Sequence, residues 1–576
     1  MASKPSAKYY NNLQDMSKIR ALAETVANNS NVRKVTVAEA YELARKQPGV
    51  SETDFLIFED YAKKVGLPKG AKVLNDCHGK IIGRTAKARK FYHRLNVGDK
   101  NKVESDLREA IYDMQQQKLI KGEAVIGMDK DLMIKATYVT TESDASNMFN
   151  WLTNFAAYEI MEEEYMKSKE LPIQDIIVIA YNEWDSDDPF YHNVGHPQLA
   201  LVDEKENVIF NFGMRYFGER KKGTLTLAWT SGMRLGMAAC HGGIKEIDFT
   251  TCKENKYHEL GKRSIAFYGL SGTGKSSHTN SADNGGTLPN GFGKVVLHDD
   301  AFQIDIEEQV CRVWEPSMFD KTDSRQPDHP DWKYCLSLMN HSILDIDGVR
   351  TPVGLDLRNS NGRALFDRDL LGNWVNKCSF PKALAWLMKD TILPPVIRFT
   401  NKYLAVSMGT ALMTKRNRAE NVTEEELNKL VFEPFANPFR VYELWKDVNA
   451  FIKVVEGGAE VYCFNSIGYW KSSDDDLEKI PLKTSLTLQT GILMDQIEWE
   501  DWDLLNGAQI PSKESIEKIL PGYYDRYDPN KRENYDEYKS VVADRFTQRI
   551  NFIRESDVNT KPELLADLLK SLKVHV

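Results

Sequence analysis

Ser264–Ser277 reads S-I-A-F-Y-G-L-S-G-T-G-K-S-S, and Lys294–Asp300 reads K-V-V-L-H-D-D. The apolar run Ile265–Tyr268 predicts a buried strand. The residues after it, Gly269, Leu270, Ser271, Gly272, Thr273, Gly274, Lys275 and Ser276, fit G-x-x-x-x-G-K-[ST], a phosphate-binding loop that runs on into Ser277. Each residue type has a physical task there. Glycines at 269, 272 and 274 let backbone N–H groups turn inward around phosphate oxygens, and Lys275 places a cation at the β- and γ-phosphates. The Ser276 hydroxyl suits a nucleotide-bound Mg2+. A second strand, Val295–Leu297, ends at Asp299 and Asp300, where a further carboxylate for the metal belongs. Together these features predict that the chain binds a nucleoside triphosphate.

Composition sets the bounds around this segment. A chain of 576 residues exceeds a single ordinary core and predicts more than one domain. With 42% hydrophobic and 28% charged residues it belongs to the globular class, and a net charge of −9 gives no reason to expect nucleic acid or an anionic membrane as partner. Any anion site must therefore be a local cluster of basic residues. No apolar run approaches the ~18 residues of a membrane span. The opening M-A-S-K-P-S-A-K lacks an apolar signal region, and the seven cysteines show no C-x-x-C spacing, which suits reduced thiols in a cytoplasm.

Moving outward, residues 1 to about 70 read as a peripheral helical layer, with Tyr41–Arg45 and Phe55–Val65 continuing the pattern. Residues 80–94 gather Arg84, Lys87, Arg89, Lys90 and Arg94, either a solvated basic face or a seat for a small dianion. Ala124–Met128, Met133–Thr140 and Ile176–Tyr181 read as strands, Ala145–Met166 as one long helix, and Leu199–Val202 with Val208–Phe212 as a hairpin. In 211–229, Arg215, Arg220, Lys221 and Lys222 crowd around Tyr216 and Glu219 before a helix-like apolar run. Residues 281–293 read as a flexible loop, Asp474–Asp476 as a solvated acidic turn, and 510–576 as charged amphipathic helices.

The order of these motifs resembles the ATP-dependent phosphoenolpyruvate carboxykinases. The chain has the Y-x-G-E-x-K-K-G segment, His241 placed 19 residues after Lys222, then G-L-S-G-T-G-K-[ST] and a D-D pair. Trp314–Lys321, W-E-P-S-M-F-D-K, is similar to the family's F-E-G-G-C-Y-A-K. Asn361–Phe366, N-G-R-A-L-F, stands where the family has N-T-R-V-S-Y. Leu393–Thr400, L-P-P-V-I-R-F-T, is close to its L-P-P-V-S-R-L-T.

The resemblance implies an α/β fold of two mixed domains, residues 1–245 and 246–576, with a phosphate loop in the second, the active site in the interdomain cleft, and a mobile lid near 404–418. It implies reversible conversion of oxaloacetate and ATP to phosphoenolpyruvate, ADP and CO2, with Mg2+ on the nucleotide and a second ion, Mn2+, in the active site. Carried over residue by residue, Lys222, His241 and Asp300 look like ligands of that ion. Arg84, Tyr216 and Arg363, with Lys222, look like the residues that hold oxaloacetate or phosphoenolpyruvate. Lys275, Lys321 and Arg363 look like cations for the moving phosphoryl group, and Glu315, Lys479 and Ser485 like contacts to the nucleotide. Two departures stand out. Asp320 precedes Lys321, and E-K-I-P-L-K-T-S-L places Lys479 for the family's base-facing Arg, so the nucleotide base stays open. Two other readings of the motifs are a P-loop small-molecule or protein kinase of related fold and a catalytically weak nucleotide sensor.

Overall fold

The computed structural model describes residues 17–77, 88–193, 196–270, 272–322, 325–415 and 429–575. They form a mixed α/β structure in two compact units. The first comprises the chain up to Ser231 together with Trp314–Leu370; the second comprises Gly232–Val313 and the chain from Leu371 onward. The sequence had placed the division at 245/246. Instead, Trp314–Leu370 belongs with the first unit because its strands pair there. Cys335–Met339 runs parallel to Lys72–Asp76, with Leu338 opposite Asn75, inside a five-stranded sheet that also holds Ser317–Lys321, Arg363–Asp367 and Val50–Leu56. The amino-terminal stretch read as helical therefore contributes the strand Val50–Leu56, as well as the helices Lys18–Ala27, Val37–Arg45 and Glu59–Lys64.

The larger sheet of the first unit runs in the order Val32–Lys34, Leu119–Asp129, Leu132–Thr141, Ile176–Tyr181, Val208–Phe212, Leu199–Asp203, Arg89–Phe91. The hairpin expected at 199–212 is present as an antiparallel pair, Leu199 opposite Phe212. The single helix expected over 145–166 is two. Ala145–Asn154 is buried along its whole length, Ala156–Ala157 turns extended and pairs with Ala124 and Val125, and Tyr158–Lys167 buries no residue. The physical reason is a change of environment. Residues before Phe155 pack on all sides, whereas Y-E-I-M-E-E-E-Y-M-K needs water, and a short strand joins the two without leaving its backbone groups unpaired.

In the second unit, Lys262–Tyr268, Pro381–Met388 and Glu460–Asn465 form a parallel centre, and the remaining strands flank it in antiparallel fashion. Central parallel strands are covered on both faces, so they read as continuous apolar runs, as A-L-A-W-L-M does. Residues 404–413, expected to belong to a lid, are core. Lys402–Thr410 is a helix buried from Leu404 onward, and Trp386 Nε1 donates to the Ala405 carbonyl at 3.0 Å. Of the remainder of that expected lid, 414 and 415 continue the strand Met413–Lys415, and 416–418 lie outside the described residues. The loop 281–293 is pinned rather than loose, because buried Asn284 donates to Thr490 at 3.1 Å and accepts from Lys245 at 2.6 Å. Asp474 is likewise engaged, by Thr391 and by Arg545 at 2.9 Å. Among the described residues no helix is long and apolar enough to cross a membrane.

Candidate functional site

The loop 269–274 leaves the carboxyl end of the central strand Lys262–Tyr268, the edge at which parallel sheets present ligands. Gly272 and Gly274 have φ of +83° and +86°, backbone that other residues rarely adopt, so glycine there is demanded by the turn. Leu270 and Thr273 are buried beneath it, with Thr273 Oγ1 donating to the Leu270 carbonyl at 2.8 Å. The turn then opens into the helix Lys275–Asn280. That helix is held from below: Lys245 Nζ donates to the His278 carbonyl at 2.6 Å, and the His278 ring stacks on Phe267 with centroids 5.4 Å apart. Burial, and then the Lys245 ammonium, push His278 down to about 3. Burial and Lys294 hold Lys245 well below the ordinary lysine range.

Beside the loop the two acids after Gly293–His298 take different partners. Ser276 Oγ donates to Asp299 Oδ2 at 3.1 Å, an alcohol and a carboxylate side by side, as a nucleotide-bound Mg2+ requires. Asp300 Oδ1 lies 3.4 Å from Lys275 Nζ and 3.2 Å from His241 Nε2. His241 Nδ1 is 2.5 Å from the Ala436 carbonyl and donates to it, which makes Nε2 the acceptor nitrogen in the neutral tautomer. A lone pair aimed at a carboxylate is repulsive unless a proton or a cation sits between them. An imidazole oriented through its second nitrogen toward a carboxylate is how divalent ions are held, so His241 and Asp300 fit such an ion. Among the described residues no group of three or more His, Cys, Asp or Glu side chains is gathered for a metal.

In the first unit two of the expected substrate residues, Tyr216 and Arg363, meet at the Phe319 ring, beside Lys321. Lys321 and Arg363 are direct cross-strand partners, and Arg363 lies over the Phe319 ring at 5.6 Å. Tyr216 packs on the same ring at 6.2 Å, and Arg363 Nε donates to Asn361 at 3.1 Å. Like charges placed directly opposite one another destabilise a sheet, so this position puts two cations side by side at a cost an anion would relieve. The neighbouring Asp320 does not cancel it. Alternation along the strand sends Asp320 to the other face, where Arg325 meets it at 2.9 Å. Arg325 carried no sequence signal for this task.

Residues 90–290 match the family model described as phosphoenolpyruvate carboxykinase. A relative from Aeropyrum pernix, named phosphoenolpyruvate carboxykinase (ATP), is 25% identical over 333 residues, or 56% of this chain. The chain spans 62% of the length of that relative. Over these stretches the chain is similar to the phosphoenolpyruvate carboxykinases.

Several residues carried over from that family occupy different surroundings from those expected. Glu315 is fully buried in the first unit, 2.8 Å from Lys221 Nζ and 2.7 Å from Asn154 Nδ2, so its carboxylate braces the helix Phe217–Arg234. Arg220 is likewise buried against Asp144 at 3.4 Å, which takes two of the four crowded cations of 215–222 out of reach of a ligand. Lys222 stays half-buried, its Nζ 5.5 Å from the Trp229 ring. Lys479 is exposed, and its carbonyl accepts from Tyr527 and Arg526. Ser485 is buried in the helix Leu482–Leu493, which packs on the loop at Gly285 through Leu486. Ser277 is exposed, and Arg84 and Ser271 lie outside the described residues. The Ala436 carbonyl that orients His241 is a backbone group, invisible to any reading of side-chain types.

Proposed function

We propose that the chain is an enzyme that converts oxaloacetate and ATP to phosphoenolpyruvate, ADP and CO2, reversibly. The observation that carries this reading is Asp300. One carboxylate faces both the phosphate-loop lysine and an imidazole already oriented for a divalent ion. A metal-assisted phosphoryl transfer needs those groups in one place. The family match over 90–290 supports the same reading.

In this reading His241 and Asp300 hold Mn2+, with Lys222 as the further ligand that the resemblance assigns, while Ser276 and Asp299 face the Mg2+ of the nucleotide. When bound, the ions neutralise developing negative charge and polarise substrate oxygens. The chain's own residues do the rest. Arg84, Tyr216 and Arg363 grip the carboxylates of oxaloacetate, guanidinium forks matching carboxylates two bonds at a time. Cleavage of the C–C bond releases CO2 and leaves its electron pair as an enolate, which nearby cations stabilise. The enolate oxygen forms a bond to the γ-phosphorus in line as the bond to ADP breaks, with Lys275, Lys321 and Arg363 balancing charge on the moving group. In this reading the first unit, with Tyr216, Lys321 and Arg363, supplies the oxaloacetate end, and the second, with His241, Lys275 and Asp300, supplies the nucleotide and metal end.

The test is a coupled assay of the full chain with oxaloacetate, Mg2+ and Mn2+. It compares ATP with GTP, and in reverse measures pyrophosphate and oxaloacetate formed from phosphoenolpyruvate, CO2 and phosphate. Phosphoenolpyruvate formed with ATP is expected. Activity with GTP alone keeps the chemistry and changes the base. Absence of product despite nucleotide binding would turn the case to a P-loop kinase or a nucleotide sensor.

A further inference from the structure

The strand Pro381–Met388 lies beside the loop's own strand in parallel, Trp386 opposite Tyr268, so its carboxyl end opens at the same edge of the sheet. The first residue past it is Lys389. Its Nζ lies 3.7 Å from the position a Cβ on Gly272 would occupy, which sets the ammonium directly against the phosphate loop. The adjacent carboxylate does not serve it. Asp390 is fully buried and paired with Arg549 at 2.6 Å and Arg545 at 3.6 Å. Among the described residues Lys389 forms no ion pair, and the charged group acting on it is another cation, Lys415. Lys415 ends the strand Met413–Lys415, whose Met413 carbonyl accepts the Lys389 N–H at 3.1 Å, so the backbone keeps the two lysines on adjoining segments.

A half-buried ammonium that has no anion beside it among the described residues, and a second ammonium behind it, is disfavoured in the empty protein. Burial and Lys415 accordingly push Lys389 below its ordinary range. A structural role would give the group a carboxylate, as Asp390 gives Arg549. The location supplies a different partner, because the groups that bind at the carboxyl edge of such a sheet, over a glycine loop, are phosphates.

We infer that Lys389 is a ligand-binding residue of the phosphate loop, a second cation that contacts the polyphosphate held over 269–276. The inference rests on the nucleotide reading of that loop and deepens it. The shared chemistry is a chain of phosphoryl groups, carried by a nucleoside triphosphate or by inorganic tripolyphosphate. Lys389 recognises the phosphates, so donor affinity depends on it whatever the base.

The experiment is calorimetric titration of the full chain in Mg2+ buffer with ATP, ADP, AMP and inorganic tripolyphosphate, together with thermal unfolding. It compares the parent with Lys389→Met and Lys389→Arg. Loss of a charged hydrogen bond to phosphate is worth about ten- to a hundredfold in affinity. Lys389→Met should therefore weaken ATP and ADP by at least about tenfold while AMP changes little. Lys389→Arg should stay within a few-fold of the parent. Without ligand, Lys389→Met should melt no lower than the parent, because it removes an unpaired, half-buried charge. An equal loss for tripolyphosphate and ATP makes the phosphate chain alone the ligand; a loss for ATP only makes it the nucleotide. Unchanged ATP affinity in Lys389→Met would overturn the inference and leave the proposed reaction standing. A lowered melting point with unchanged affinity would make Lys389 structural. No ATP binding by the parent would overturn the loop reading and this inference together.

Discussion

In the second unit Lys275 faces Asp300 and Ser276 faces Asp299, whereas in the first unit Lys321 faces Arg363 across two strands. The first arrangement sets carboxylates beside a lysine, an alcohol and the imidazole of His241, 3.2 Å from Asp300. The second sets two cations opposite one another. Under the proposed function, the two arrangements would serve two different tasks. Acids beside a phosphate loop prepare for metal ions, and paired cations on a sheet face prepare for a substrate bearing carboxylates or phosphate.

The sharpest way to break this contrast is at the acid side. His241→Ala should cut kcat/KM for phosphoenolpyruvate formation by about a thousandfold or more and raise the Mn2+ requirement, since an oriented charge-stabilising group is worth that much. ATP affinity by calorimetry should hardly move. Lys222→Ala should shift the metal requirement in the same direction, and an unchanged metal dependence in both would remove the ligand assignment.

On the cation side, Arg363→Met should lower kcat/KM by about a hundredfold while leaving the thermal midpoint unchanged or higher, because it relieves the repulsion from Lys321. A drop in both would make Arg363 structural and erase the contrast.

A third measurement probes the frame under the loop. In the native protein buried His278 stays neutral down to about pH 3, whereas its ordinary value is 6.5. Between those values the unfolded chain takes up a proton that the native state refuses. This contribution to stability is therefore complete above pH 6.5 and is lost as pH falls, by up to about 1.4 kcal/mol per pH unit. His278→Gln should flatten that part of the acid limb in urea titrations read between pH 4 and 6.5. An unchanged slope would show that the ring is not the group responsible. The smallest effect is expected from Asp320→Asn. Its partner Arg325 holds it on the face away from Lys321, and partly exposed pairs are worth little, so kcat/KM should change less than about threefold. A large gain in activity would mean that Asp320 does weaken the field at Lys321.

Much of the site was legible because its signals are local. G-L-S-G-T-G-K-S after an apolar run specifies strand, turn and helix start within fourteen residues, and the glycines at 272 and 274 take the positive φ the motif requires. The strands at 124–140, 176–181 and 199–212 followed from alternation and apolar runs. The errors arose where distant partners decide. Residues 145–166 read as one helix because each half alone has a helical pattern; pairing of Ala156–Ala157 with 124–125 splits it. Residues 404–413 were assigned to a lid through resemblance, but their packing against Trp386 makes them core.

The sequence by itself determined the phosphate loop, the acids at 299 and 300, the α/β class and the family likeness, since each is carried by short spacings and residue types along the chain. Only the tertiary structure decided that Trp314–Leu370 joins the first unit and that Glu315 and Arg220 are consumed by internal pairs. The same holds for His241, oriented by a backbone carbonyl nearly two hundred positions away, and for Lys389, set against Gly272. Whether a charged side chain is spent on the fold or kept for a ligand depends on which charges the folded chain brings to it, and partners far apart in sequence leave no trace in local pattern.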